Sequence, residues 1–211
     1  MAARDWLDWH GDYDRAGSRL ALRLEAVQAQ VAGALDRAAP GPLKVVSMCA
    51  GQGRDLLGVL AGHPRCSDVE ARLVELDPRN VERARAAARH AGVEVVEGDA
   101  STTSAYEGAV PADVVLVCGV FGHASDDDIR RIVEHLPTLC GPGATVIWTR
   151  GGHERDLRPA IRVWFADAGF EEMAFTAADA GGWGVGAHRL VAEPRPFEAG
   201  VRLFTFLEEL P

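Results

Sequence analysis

Residues 45–57 read VVSMCAGQGRDLL: an apolar run, a short loop with glycines at 51 and 53, then the opening of a helical pattern. A strand that feeds a glycine turn and a helix is the local architecture of a nucleotide-like ligand site. Glycine turns tightly and lets a ligand approach main-chain amides without meeting a Cβ. The dinucleotide fingerprint needs a third glycine that brings helix and strand together, and here Leu56 occupies that place. A pyrophosphate is therefore disfavoured, although two glycines alone are a weak signal.

Outward from this loop the chain alternates short apolar runs with helical patterns. KVVSMC precedes RDLLGVLAG, ARLVEL precedes DPRNVERARAAARHAG, and VEVVEG precedes a short polar segment. DVVLVCGV then precedes SDDDIRRIVEHL, and ATVIWT precedes ERDLRPAIRVWFADAG. Strand and helix repeated at this spacing predict an α/β fold with a doubly wound, mostly parallel sheet and right-handed crossovers. Near the end, FEEMAFT and GAHRLVAEP are separated only by the glycine-rich AADAGGWGV, so this pair is expected to be antiparallel. VRLFTF at 201–206 suits either an edge strand or a segment packed along the sheet. Before the sheet, Leu20, Leu24, Val27, Val31, Ala34 and Leu35 recur at helical spacing and predict an amphipathic helix over 18–38, closed by PGP.

The 211 residues suit one sizeable domain, with residues 1–40 as an N-terminal helical arm capping the pocket and 41–211 as a single globular unit. A net charge of −9 argues against a groove that follows nucleic-acid phosphates. Lys44 is the only lysine, at the start of the first strand and so opposite the ligand edge, which disfavours Schiff-base chemistry. Cys49, Cys66, Cys118 and Cys140 form no CxxC pair and read as reduced thiols. The N-terminus carries too many charges for the pattern of a signal peptide, and no run approaches a membrane span, so a cytoplasmic protein is expected. Oligomeric state is open, a homodimer among the options.

In an open parallel sheet the ligand lies beyond the carboxyl ends of the strands, where the strand order reverses. The first strand ends in Cys49, Ala50, Gly51, Gln52 and Gly53. The second ends in VELDPRN, where Asp77 before Pro78 reads as a helix N-cap and leaves Glu75 as the better ribose ligand. The third ends in EGDAS, with Asp99 as an acceptor for an amino group. The fourth ends in VCGVFGHAS, which places Cys118, Gly119, Phe121 and His123 at the same edge.

Taken together, SMCAGQG, VELDP, EGDA and VLVCGVFGH, followed by the closing antiparallel pair, resemble class I S-adenosylmethionine-dependent methyltransferases. Small bacterial members are the nearest in kind. The resemblance covers roughly residues 41–192 and implies a Rossmann-like, seven-stranded sheet with S-adenosyl-L-methionine as cofactor. It implies that Ala50, Gly51, Gln52 and Gly53 lie along the methionine and ribose of the cofactor and that Glu75 holds the ribose hydroxyls. Asp99 and the Ala100 amide would read the adenine, and Cys118, Gly119 and Phe121 would flank the methionine near the reactive methyl. The first motif departs from the family, with Ser47 in place of an acid and Cys49 in place of the first glycine. Asp55 is the substitute candidate for holding the cofactor's amino group.

Methyl transfer from a sulfonium is an in-line displacement, for which a protein orients the nucleophile, excludes water and, where needed, removes a proton. No metal is required. The acids Asp126, Asp127 and Asp128 follow Ser125 and read as the first turn of a capped helix, not as metal ligands. His123 is the candidate base, with a hydrogen-bonded loop histidine as the equal alternative. Around Trp6 and Trp9, His10, Asp12 and Tyr13 form either a lid over a small-molecule substrate or an arm packed on the body. The alternative function is a protein that binds the cofactor or its demethylated product without turnover. A nicotinamide oxidoreductase is disfavoured by the missing glycine and the terminal strand pair.

Overall fold

The computed structural model describes residues 10–151, 156–178 and 182–206. Seven strands make one sheet: β1 Leu43–Met48, β2 Val69–Glu75, β3 Val93–Glu97, β4 Ala112–Val117, β5 Cys140–Gly151, β6 Phe170–Ala177 and β7 Trp183–Leu190. Their order is β3-β2-β1-β4-β5-β7-β6. The first five are parallel, and β7 pairs antiparallel with both β5 and β6, as the glycine-rich connection predicts.

The apolar runs are continuous because both faces of the parallel strands are covered. Along β1, Val46 and Met48 enter one core layer while Leu43 and Val45 enter the other. β4 does the same, with Val115 and Val117 on one side and Val114 and Leu116 on the other. One layer is covered by α1 Arg19–Arg37, α2 Arg54–Leu60 and α3 Pro78–Ala87, and the opposite layer by α4 Asp126–Leu139 and α5 Arg158–Asp167. α1 begins at Ser18, whose Oγ accepts from the Ala21 amide at 3.0 Å, and it buries Val27, Val31, Ala34 and Leu35 along a single stripe. This helix packs on α2, β5 and β7 and is part of the helical layer.

β5 and β7 meet most tightly at Trp148, which is fully buried and lies opposite Gly186. The indole stacks on Phe165 at 5.9 Å and donates to Nδ1 of buried His188 at 3.1 Å. Burial pushes the His188 pKa down to about 4, so this imidazole is neutral at physiological pH. Gly186 is the residue that leaves room for the indole, because a Cβ there would sit 2.4 Å from Trp148 Cε2. Gly186→Ala is accordingly expected to lower stability by about 2 kcal/mol in urea denaturation. An unchanged denaturation midpoint would mean that the indole does not fill this space.

β1 and β4 are sheet neighbours, yet the chain leaves β1 toward β2 on one side and reaches β4 only after β3. This is the reversal point of the strand order, and the carboxyl ends of β1 and β4 part to leave a crevice there. Residues 201–206 add no strand. They run across the strand ends, joined by isolated bridges from Arg202 to Thr102 and from Phe206 to Ala124.

Candidate active site

A cavity of about 450 Å³ opens over the ends of β1, β2, β3 and β4, within the range of small-molecule sites. Its floor is the loop after β1. There Cys49, Gly51 and Gly53 all have positive φ, at 48°, 57° and 69°, so the chain turns sharply between strand and helix. Cys49 adopts this conformation despite its side chain, whereas the two glycines adopt it freely. Gly51 lines the cavity, but Gly53 stands behind the wall. A Cβ on Gly53 would lie 2.7 Å from Leu73 and 2.8 Å from Leu57, so this glycine allows α2 to pack, and it is not among the cavity-lining residues.

Glu75 fixes the loop to β2. Its Oε2 accepts from the Gly51 amide at 2.7 Å and its Oε1 from the Asp77 amide at 2.9 Å, with only 9% of the residue exposed. The carboxylate nevertheless lines the cavity, and each oxygen can accept a further bond. Asp77 caps α3 by accepting from the Arg79 amide at 2.9 Å, and the Arg79 guanidinium holds its carboxyl below the usual range. On the first turns of α2 and α3 stand residues that the sequence did not single out. Arg54 donates to Gln52 Oε1 at 3.0 Å, and Gln52 donates on to Asn80 Oδ1 at 3.4 Å. Asn80 is also in the cavity wall.

The third strand contributes Asp99, Ala100 and Ser101. Asp99 accepts from the Ser101 amide at 2.9 Å and lies 3.5 Å from the Arg202 guanidinium. Burial raises its pKa, but Ser101 and Arg202 outweigh burial and leave the carboxyl below its ordinary value. After β4, Cys118 and Gly119 line the cavity, and the Gly119 amide donates to Thr149 Oγ1 at 2.8 Å. Burial pushes the thiols of Cys49 and Cys118 well up, so both stay protonated and neither is a nucleophile.

The far end of the cavity is built by the N-terminal part of the chain. Arg23, Leu24 and Val27 of α1 face it, together with Tyr13 from the 3₁₀ turn His10–Asp14 and Asp55 from α2. Arg23 donates to the Tyr13 hydroxyl at 2.8 Å. Arg54 lies over the Tyr13 ring at 5.6 Å and is bidentate to Asp14 at 2.6 and 3.2 Å, which ties the turn to the glycine loop. Asp55 accepts from the Leu56 amide at 2.8 Å, yet burial dominates and raises its carboxyl to about 6.

Two residues expected at the ligand edge are elsewhere. Phe121 is fully buried, 5.8 Å from Trp148, because the chain reverses at Gly119 (φ 81°) and carries Val120 and Phe121 back into the core. His123 stands behind the wall, edge-on to the Phe206 ring at 6.0 Å, and Phe206 is what faces the cavity. Arg150 is buried and donates to the Phe121 carbonyl. Trp6, Trp9 and the His10 side chain lie outside the described residues. Among those residues, no cluster of three or more His, Cys, Asp or Glu side chains is arranged to hold a metal ion, and no helix is long and apolar enough to cross a membrane. Asp128 pairs with Arg131 and accepts from the Thr205 amide at 3.2 Å, while Ser125 caps α4.

No protein-family model matches the chain, and no curated protein matches it in sequence. Solved structures share its architecture. A possible exported protein from Bordetella parapertussis has a TM-score of 0.64 at 18% identity, over 81% of this chain and 67% of that one. Magnesium protoporphyrin IX methyltransferase from Synechocystis PCC 6803, with bound S-adenosylmethionine, has a TM-score of 0.63 at 14% identity, over 90% of this chain and 99% of that one. The 1,6-didemethyltoxoflavin-N1-methyltransferase of Burkholderia thailandensis, with bound S-adenosylhomocysteine, has a TM-score of 0.59 at 17% identity, over 89% and 87% of the two chains. The fold of this chain is that of the class I S-adenosylmethionine-dependent methyltransferases.

Proposed function

We propose that this chain binds S-adenosylmethionine in the cavity over β1 and β4 and transfers its methyl group to a small-molecule acceptor. The observation that carries the reading is the distribution of charge along the cavity. One end presents the carboxylates Glu75 and Asp99, which accept from hydroxyl and amino groups. The other presents Arg23 beside Asp55, a cation and an anion that together match an amino acid's carboxylate and ammonium. Gly51, bonded to Glu75, offers backbone with no Cβ. A nucleoside joined to an amino acid offers a partner to each of these four side chains. The two methyltransferases of the same fold were crystallised with this cofactor or its product.

When bound, S-adenosylmethionine supplies a methyl carbon on a sulfonium, open to in-line displacement. The residues of this chain then bind, orient and exclude water. Arg23 and Asp55 hold the amino-acid end, Glu75 the ribose and Asp99 the base, leaving the wall of Tyr13, Cys118 and Thr149 for the acceptor side. Burial raises the Tyr13 phenol above its ordinary pKa, more than the Arg23 guanidinium beside it lowers it. Tyr13 therefore orients an acceptor through its protonated hydroxyl and is not a base. Among the described residues no histidine lines the cavity, which favours an acceptor that is already nucleophilic over one that His123 must deprotonate. The same placement supports a second reading, a protein that binds the cofactor without turnover.

Calorimetric titration separates these readings from the oxidoreductase one. S-adenosylmethionine and S-adenosylhomocysteine are expected to bind at tens of micromolar or tighter and NAD not to bind. Failure of both sulfur nucleosides would refute the proposal. Release of S-adenosylhomocysteine across a panel of small amines, phenols and carbon acids then distinguishes the enzyme from the binding protein.

A further inference from the structure

Residues 201–206 lie outside the seven-stranded sheet, yet Arg202, Phe204, Thr205 and Phe206 all line the cavity. The segment is held along its length. The Thr103 amide donates to the Val201 carbonyl at 2.9 Å, the Leu203 amide to the Ser101 carbonyl at 2.7 Å, and the Thr205 amide to Asp128 Oδ2 at 3.2 Å. Leu203 and Phe204 are buried, which anchors the backbone between them and the turn after β3. Arg202 is thereby carried over that turn. Its guanidinium donates to Ser101 Oγ at 2.7 Å and reaches Asp99 Oδ2 at 3.5 Å.

The two partners have opposite and fixed hydrogen-bonding character. A guanidinium only donates, and an ionised carboxylate only accepts. Asp99 Oδ1 is already committed to the Ser101 amide, and Arg202 stands 3.5 Å from Oδ2, an ionised oxygen that can accept one more bond. We propose that Arg202 is a positioning residue for ligand specificity: by fixing the Asp99 carboxylate at the cavity wall it makes the site select an aminopurine over an oxopurine. An exocyclic amino group donates to Asp99, whereas a carbonyl oxygen at the same place meets a like acceptor and leaves that pair unmade. This rests on the cofactor assignment above and adds to it the role of a segment that is not part of the sheet.

The test compares calorimetric binding of S-adenosylhomocysteine with that of S-inosylhomocysteine, which carries a carbonyl oxygen where adenine carries its amino group and, with it, a proton on N1. Because the Asp99 side chain is about half exposed, the wild-type preference for adenine is expected to be roughly thirtyfold, below the discrimination of fully enclosed sites. Arg202→Ala should weaken the adenine ligand about tenfold and leave the inosine ligand nearly unchanged, reducing the preference to about threefold. Arg202→Lys, which restores the charge, should recover most of it. Asp99→Asn should abolish the preference for adenine, because the Ser101 amide fixes Oδ1 as acceptor and leaves Nδ2, a donor, facing both the exocyclic group of the base and the Arg202 guanidinium. Parallel loss of both ligands in Arg202→Ala, or an unchanged ratio with intact wild-type binding, would overturn the role of Arg202 alone. Absence of S-adenosylhomocysteine binding to the wild-type protein would overturn it together with the cofactor assignment.

Discussion

Glu75→Ala is expected to weaken S-adenosylhomocysteine binding about a thousandfold, the loss of two charge-assisted hydrogen bonds to a ribose diol. The expected size follows from the double duty of the carboxylate. In the protein itself its oxygens accept from the amides of Gly51 and Asp77, so removing it frees the glycine loop and leaves the buried Gly51 N–H without a partner. That orphaned donor is expected to cost a further 1 to 3 kcal/mol of folding stability, to be roughly halved by any water that reaches it. Glu75→Gln should be nearly as damaging despite its similar shape. An amide has one acceptor oxygen, so its NH₂ would face either the Gly51 or the Asp77 N–H, donor against donor. Asp77→Ala is the control: it removes a helix cap worth about 1 kcal/mol and should change nucleoside affinity little. Calorimetry and urea denaturation on the three variants read both effects, and a larger affinity loss in Asp77→Ala than in Glu75→Ala would refute the ribose assignment.

The residues legible from sequence are those whose role follows from their place at a strand end. Alternating apolar runs locate the strands, and Glu75 and Asp99 stand at the ends of β2 and β3 where the ligand edge must be. The caps Asp77 and Ser125 are equally local signals, each a side chain that accepts from an amide two or three residues on. Phe121 misled because a single positive-φ residue, Gly119, changes which side of the chain faces the cavity, and no periodicity records that reversal. Gly53 misled for a related reason: a glycine admits a close neighbour as readily as a ligand, and here the neighbours are Leu57 and Leu73.

Arg23 and Arg202 were missed for different reasons. Arg23 did leave a trace in the sequence, since it precedes Val27, Val31 and Leu35 at intervals of four and so continues the buried stripe of α1. An arginine on an apolar stripe must find an anion or a polar cavity at its end. Its partners there, Tyr13 and Asp55, come from both sides of it in the chain. Arg202 left no such trace. Its place depends on backbone pairing of residues 201–206 with turns about a hundred positions earlier, and only the folded chain sets that pairing.

Asp55 is expected to make cofactor binding dependent on pH, in a direction set by its burial. Its carboxyl is raised to about 6 chiefly by burial, against the lowering effects of the Leu56 amide and Arg23. In the free protein a carboxyl raised in this way favours folding at acidic pH and loses that contribution as pH rises through about 6. The amino group of S-adenosylhomocysteine is cationic at neutral and acidic pH, so it pairs with the ionised carboxylate and not with the acid. Affinity is therefore expected to rise with pH through about 6 and to level off above 7, with a slope approaching one decade per pH unit on the acid side. Asp55→Asn should flatten the profile and weaken binding about a hundredfold at neutral pH, since an amide cannot supply the charge. Arg23→Met should also weaken binding, by removing the partner of the ligand's carboxylate, but with a different signature. The inflection should move to higher pH, because Arg23 is one of the groups that holds the Asp55 carboxyl down. Calorimetry on the three proteins between about pH 5 and about pH 8 measures the profile, and a wild-type affinity independent of pH across that range would remove the ammonium from Asp55.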